Sequence, residues 1–252
     1  MARQRLGQHF LASPSILARI AREVCPLPEP LVVEIGPGHG ALTRHLLERA
    51  DRVVAVELDA ALAVRLAAED ATGRLTVVHA DARDADLGQW GPMVLCGNLP
   101  YYAATPMIDR LLAPGGAPPF GLIRAVFLIQ LEVAQRLAAQ PGSRDYGYWS
   151  AKAALSMQCD LRFRVPPGAF RPPPKVDSAV VALTPRPRAA ELGIADPEDF
   201  VRFLSQCFRM KRKTLRNNLA GFADAAKLQA CPPKRAEQLS LEEFVALYRV
   251  IR

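Results

Sequence analysis

An α/β protein with a mostly parallel sheet and a small all-helical tail is what this sequence predicts, and three observations predict it. Short apolar runs alternate with helix-spaced segments through the first half of the chain. A glycine-rich turn follows the first apolar run, and a proline-broken stretch near residues 166–174 separates this region from one patterned only for helices. Strand and helix alternating at this spacing imply parallel strands covered on both faces.

The elements follow in order. Leu31–Ile35 is a buried-type strand ending in Gly36-Pro37-Gly38-His39-Gly40, and 41–50 is helical by the spacing of Leu42, Leu46 and Leu47. Arg52–Val56 is a second strand and 60–70 a second helix. Strands at 75–79, 93–96 and 124–129 and helices at 105–112 and 132–138 continue the alternation. From Leu161 the texture becomes β-type, with a strand at 176–183. Thr184-Pro185-Arg186-Pro187-Arg188 reads as a linker, and 197–219 and 241–250 read as helices. The boundary is placed between a domain of residues 1–185 and a helical domain of residues 186–252.

The 252 residues are 50% hydrophobic and 23% charged, enough to bury a core without disulfide or metal staples. No apolar run approaches the roughly 18–20 residues of a membrane helix, so no membrane partner is expected. The first ten residues carry arginines with no apolar run behind them, unlike a signal peptide. Cys25, Cys96, Cys159, Cys207 and Cys231 are odd in number and widely spaced, which fits neither a disulfide framework nor a zinc site. A metal-free protein of the reducing cytoplasm is the expectation.

Charge is uneven. The net charge is +7, and residues 186–252 hold 13 Lys+Arg against 8 Asp+Glu. That excess fits a polyanionic partner, nucleic acid before membrane, although arginine-rich solubility is the plain alternative. On a continuous helix, Arg209, Arg212, Lys213 and Arg216 share one face, opposite Phe200, Leu204, Phe208, Leu215 and Leu219. Lys211 falls toward the apolar side, where it would snorkel. Four cations without an interleaved acid favour phosphate contact over a merely solvated face. Arg3 and Arg5 form a second candidate contact.

The glycine turn lets backbone approach a ligand and aims helix-start N–H groups at it. It is not the dinucleotide pattern, because Pro37 interrupts the cradle and Ala41 fits the last position only loosely. Glu57, 21 residues after Gly36, closes the second strand where an acid accepts ribose hydroxyls. Asp81 follows the third strand, placed for an adenine amino group. Two acids and a turn without a pyrophosphate cradle suit S-adenosylmethionine better than NAD. A tight turn with a solvated strand end is the bland reading, which Glu34 weakens: an ionised carboxylate inside an apolar strand needs a partner, and the methionyl ammonium is one candidate.

Asn98-Leu99-Pro100-Tyr101 directly follows the fourth strand, at the carboxyl edge where open α/β sheets bind ligands. It suits methyl transfer to an exocyclic amine. Such a nitrogen is a poor nucleophile because its lone pair is delocalised into the purine. Hydrogen bonds from the amine to the Asn98 oxygen and a backbone carbonyl at Pro100 favour its attacking geometry. Tyr101 can stack on a base swung out of its helix.

With these residues in hand, the chain resembles the small-subunit ribosomal RNA adenine N6,N6-dimethyltransferases over nearly its whole length. The motifs are Gly7-Gln8-His9-Phe10-Leu11, Glu34-Ile35-Gly36-Pro37-Gly38, Glu57-Leu58-Asp59, Asn98-Leu99-Pro100-Tyr101, Gln130-Leu131-Glu132-Val133 and Tyr146-Gly147. Phe170 through Val180 and Arg212 through Leu219 are the most diagnostic. The resemblance implies a Rossmann-like class I methyltransferase fold with a seven-stranded sheet. It implies S-adenosylmethionine bordered by His9 and Leu11, lined by Gly36, held by Glu57 and Asp81, and touched by Asn98. Phe170 becomes the second aromatic wall of the base pocket, opposite Tyr101. The implied activity is dimethylation of two adjacent adenosines in a hairpin near the 3′ end of 16S rRNA. It acts within a pre-30S particle late in ribosome biogenesis, as a monomer. The family often has Asn at the place of His9, Lys at Leu131 and Arg-Leu at Tyr148-Trp149. The alternatives are a large-subunit rRNA methyltransferase of the antibiotic-resistance type, which shares the cofactor site, and a non-catalytic assembly factor on the same fold.

Overall fold

The computed structural model describes residues 9–112 and 118–252. In chain order its elements are β1 (Phe10–Leu11), α1 (Pro14–Val24), β2 (Glu29–Ile35), α2 (Ala41–Leu47), β3 (Ala50–Glu57), α3 (Ala60–Ala68) and β4 (Leu75–His79). Then come β5 (Met93–Asn98), α4 (Tyr101–Leu111), β6 (Leu122–Gln130), α5 (Leu131–Leu137), α6 (Tyr148–Ser156), β7 (Met157–Val165) and β8 (Phe170–Arg171). The last are β9 (Ser178–Pro185), α7 (Pro197–Cys207), α8 (Leu215–Leu219) and α9 (Leu241–Ile251).

Seven strands form one sheet in the order β4-β3-β2-β5-β6-β9-β7. From β4 to β6 every neighbouring pair is parallel, and β9 runs antiparallel to β6. The near-continuous apolar runs predict this: Val32, Val33, Val53, Val54, Val94 and Leu95 are fully buried, as strands covered on both faces require. Chain order reverses between β2 and β5, which makes their carboxyl ends the switch point where such sheets open a crevice.

Two compact units share the chain. Among the described residues, one takes those up to 111 with 118–134 and 160–184, and the other takes 112, 135–159 and 185–252. The last passage into the second unit falls between residues 184 and 185. The packing also assigns 135–159 to that unit, because Tyr146, Ala151 and Leu155 join Phe200, Phe203, Leu204 and Phe244 in one core.

Helices α1 and α6 add to those expected, and the β-type region begins at Met157. One expectation is overturned. The helix anticipated over 197–219 is two helices, α7 and α8, with 208–214 as turns between them. Buried Asn218 is the reason. Its Nδ2 donates to the carbonyls of Cys207 (2.7 Å) and Met210 (3.2 Å), and its Oδ1 accepts from the Met210 N–H at 2.9 Å. The side chain supplies the partners that a continuing helix would have used.

Candidate active site

The site is built where β2, β3, β4 and β5 end. At the end of β2, Gly36 donates its N–H to the Val56 carbonyl at 2.9 Å, and Gly36, Gly38 and Gly40 have φ of 65°, 58° and 70°. A Cβ at Gly36 would meet nothing within 4 Å, whereas one at Gly38 would come within 2.9 Å of the Phe10 ring. Gly36 thus leaves open space in the cleft, and Gly38 lets the N-terminal strand close over the turn.

Glu57 ends β3 buried, at 4% exposure. One carboxylate oxygen accepts the Gly38 N–H and the other the Asp59 N–H, both at 2.9 Å. Each oxygen keeps a further lone pair, so the group ties the glycine turn to the strand end while still facing the cleft. Asp59, its companion in the motif, caps α3 by accepting from Ala61 and Leu62. Glu34 finds its partner away from the cleft: the Thr43 hydroxyl donates to it at 2.6 Å. Burial pushes its carboxyl up to about 7, against the lowering effect of Thr43 and with a smaller push from the Glu57 charge. The methionyl ammonium is not needed to explain its burial.

Asp81 follows β4, and its carboxylate is clamped by Arg83, whose fork and own N–H all donate to it. This pairing holds the Asp81 carboxyl below the usual carboxylate range. The Arg83 guanidinium lies 5.8 Å from the Tyr102 ring centre.

Asn98 ends β5, and its Nδ2 donates to the His9 carbonyl at 3.0 Å. A carbonyl only accepts, so this contact fixes the amide: nitrogen toward His9, Oδ1 turned elsewhere. His9 is anchored in turn, its Nδ1 donating to the Pro172 carbonyl at 2.8 Å. Strand β1 pairs antiparallel with β8, Phe10 opposite Arg171 and Leu11 opposite Phe170.

One cleft in the first unit is lined by His9, Gly36, Glu57, Asp81, Asn98, Pro100 and Phe170, so seven of the expected residues converge. Two expectations change. Leu11 is turned into the core and does not line the cleft, whereas its strand neighbour Phe10 does, as alternation along a strand dictates; Phe170 belongs to the same core, at 2% exposure, yet still reaches the cleft lining. The Pro100 carbonyl accepts from Ala103 and Ala104 at the start of α4, so it is committed to the helix rather than to a substrate amine. Among the described residues, the adjoining Leu99 carbonyl has no such partner. Tyr101 opens α4, and its side chain lies outside what the structure describes. Arg83, Tyr102 and Met107 also line the cleft without having been singled out. Only Arg83 carried a signal, an Asp-x-Arg spacing that favours a local pair.

Arg209, Arg212, Lys213 and Arg216 are exposed, and among the described residues none of them is in an ion pair. Their setting differs from the expected single helical face: the first three stand on the turn between α7 and α8, and Arg216 on α8. Lys211 reaches the Arg144 carbonyl at 3.1 Å rather than an apolar surface. Arg3 and Arg5 lie outside the described residues. Among the described residues, no helix is long and apolar enough to cross a membrane, and no group of three metal-ligating side chains occurs.

Known proteins share this architecture. A Plasmodium falciparum dimethyladenosine transferase superposes with a TM-score of 0.77 at 24% identity, over 95% of this chain and 96% of that one. The 23S rRNA methyltransferase ErmE gives 0.73 at 26% identity, over 96% and 99%. The small-subunit rRNA methyltransferase A of Chromobacterium violaceum is 41% identical over 97% of this chain and 94% of its own length. The family described as ribosomal RNA adenine dimethylase matches residues 1–252. A class I methyltransferase sheet, an asparagine fixed at the end of its β5 and a match that spans every residue lead to one conclusion: the chain belongs to the ribosomal RNA adenine dimethylase family.

Proposed function

We propose that the protein dimethylates the N6 amines of two adjacent adenosines in a hairpin near the 3′ end of small-subunit rRNA. It acts as a monomer on a pre-30S particle, with S-adenosylmethionine in the cleft described above. The observation that carries this reading is the fixed Asn98 amide, whose oxygen is left to accept a hydrogen bond from an amine.

The cleft fits the cofactor. Gly36 leaves the turn open on its Cβ side, and Glu57 keeps lone pairs for the ribose hydroxyls. Asp81 accepts from the adenine amino group, Gly36 lines the sugar, and His9 with Phe10 borders the methionine end. Two carboxylates suit hydroxyls, an amine and a sulfonium, and repel a pyrophosphate. When bound, S-adenosylmethionine supplies an electrophilic methyl group on a sulfonium.

The chain's own residues then prepare the nucleophile. Asn98 Oδ1 and the Leu99 carbonyl accept the two amine hydrogens, which draws the nitrogen lone pair out of conjugation and into line. Phe170 and Tyr101 hold the flipped base between them. After the first transfer one hydrogen remains, so one of the two acceptors suffices for the second. Arg209, Arg212, Lys213 and Arg216 contact rRNA phosphates. The relatives at about 40% identity are named as small-subunit enzymes, which favours that rRNA over the large-subunit target of ErmE.

Nucleoside mass spectrometry tests the reading, with purified protein, S-adenosylmethionine and unmodified small or large subunits. Dimethyladenosine is expected in 16S rRNA. Asn98→Ala is expected to slow single-turnover methylation by roughly 100–1,000-fold, the worth of a transition-state hydrogen bond, with little change in RNA affinity. Product in 23S rRNA alone would assign the large-subunit reaction. A wild-type protein that binds subunits without methylating them would leave the assembly-factor reading.

A further inference from the structure

Arg83 has no part in the reaction described so far, yet it makes four hydrogen bonds to one carboxylate that lines the cleft. Its Nε donates to both Asp81 oxygens, at 3.0 and 3.1 Å, and its Nη2 donates to Oδ2 at 2.5 Å. Its backbone N–H adds a fourth bond, to Oδ1 at 2.9 Å. Three hydrogens therefore meet the two oxygens, the backbone N–H on Oδ1, the Nη2–H on Oδ2 and the Nε–H shared between them, so the plane of the carboxylate is fixed while acceptor capacity remains. The residue is exposed, lines the cleft and approaches Tyr102, which also lines it. The loop beneath is held from the other side, where Arg110 donates to the carbonyls of Ala82 and Ala85. A surface arginine seldom holds one geometry, since exposed pairs cost side-chain entropy and gain little. Here one two-residue turn supplies both partners, so little entropy remains to be lost.

We infer that Arg83 is a positioning residue for nucleobase selection, locking the Asp81 carboxylate in the acceptor-only state and orientation that distinguish a 6-amino from a 6-oxo purine on the cofactor. This rests on the reading of Asp81 as the adenine-binding acid. An ionised carboxylate accepts from an adenine amine and repels the oxygen of hypoxanthine. A carboxylate free to rotate can turn its edge away, and one free to take up a proton can donate to that oxygen. Either change erodes selection. Arginine suits the task and lysine does not, because only a planar fork grips both oxygens at once.

Calorimetry with S-adenosylhomocysteine and S-inosylhomocysteine tests this on the full-length protein, with Arg83→Met, Arg83→Lys and Asp81→Asn compared with wild type. Wild type is expected to prefer the adenosyl compound. Asp81→Asn, whose amide can donate to a 6-oxo group, is expected to abolish or invert the preference. Arg83→Met is expected to reduce it by about tenfold, the worth of roughly one charge-assisted hydrogen bond, and Arg83→Lys to restore only part of it. The loss in Arg83→Met is expected to grow as pH falls toward the carboxylate range, which a merely structural role would not produce. Full selectivity in Arg83→Met, or a gain, with Asp81→Asn impaired, would overturn the inference and leave the Asp81 assignment standing. Undiminished selectivity in Asp81→Asn would remove that assignment, and the inference with it.

Discussion

At the scale of single residues, two buried acids near the glycine turn do different work. Glu57 accepts two backbone N–H groups, so it builds the turn as well as facing the cleft. Glu57→Gln turns an NH2 group toward one of those donors. It is expected to weaken S-adenosylmethionine binding by about 1.5–3 kcal/mol, the range for charge-assisted hydrogen bonds. Unchanged affinity in calorimetry would reduce Glu57 to a builder of the turn. Glu34 does not line the cleft, and its effect is on stability. Its folded-state pKa of about 7 lies above the ordinary 4.5, so the folded protein holds this proton more tightly than the unfolded chain. Its contribution is therefore full below about pH 4.5 and is lost as pH rises through 7. Integrated over that window the loss is about 3 kcal/mol. Glu34→Gln is expected to flatten this fall, and urea midpoints measured across the window in both proteins would reveal an unchanged slope if the expectation is mistaken.

Elements explain why much of the site was legible in the sequence and where legibility stopped. Motifs at strand ends were readable because a parallel sheet delivers every strand's carboxyl end to one edge, which brought Gly36, Glu57, Asp81 and Asn98 together. Leu11 and Phe10 were not separable, since a two-residue strand has no period from which to tell its faces. The break between α7 and α8 was hidden because it depends on Asn218, a side chain whose partners lie eight and eleven residues back. Helix α6 escaped for another reason: Ala151, Ala153 and Ser150 are all buried, and small residues around a helix leave no apolar stripe. Packing between elements also sets a constraint that no motif announces. A Cβ at Gly97 would stand 2.5 Å from the Ile35 carbonyl oxygen, where β5 passes β2. Gly97→Ala must push these strands apart between Gly36 and Asn98. We expect a loss of about 1–3 kcal/mol in stability, as for overpacking elsewhere, and a drop in methylation rate beyond what the lost stability explains. A fully active, equally stable variant would show that the strands can part without harm.

For the whole molecule, division of labour follows from the chain's two units. The cleft belongs to the first, and Arg209, Arg212, Lys213 and Arg216, in no ion pair among the described residues, belong to the second. Arg212→Ala with Lys213→Ala is accordingly expected to weaken subunit binding and flatten its dependence on log salt by roughly 0.7–0.9 per lost phosphate contact, with cofactor affinity unchanged. An identical salt slope would return this turn to a solvated surface. Within the first unit, the contact between Asn98 and the His9 carbonyl has a different kind of consequence. A main-chain oxygen is common to every amino acid, so the grip on the amide does not depend on which residue occupies position 9. It depends on counting: the pairing of Phe10 with Arg171 sets which peptide unit arrives above Asn98. Adding or deleting one residue next to this strand would bring a different peptide group there, and an N–H in place of the oxygen would turn the amide over. The stretch from His9 to Leu11 is thus stricter in its length than in the residue at position 9, and drift in this family should be tolerated there as substitution more readily than as insertion.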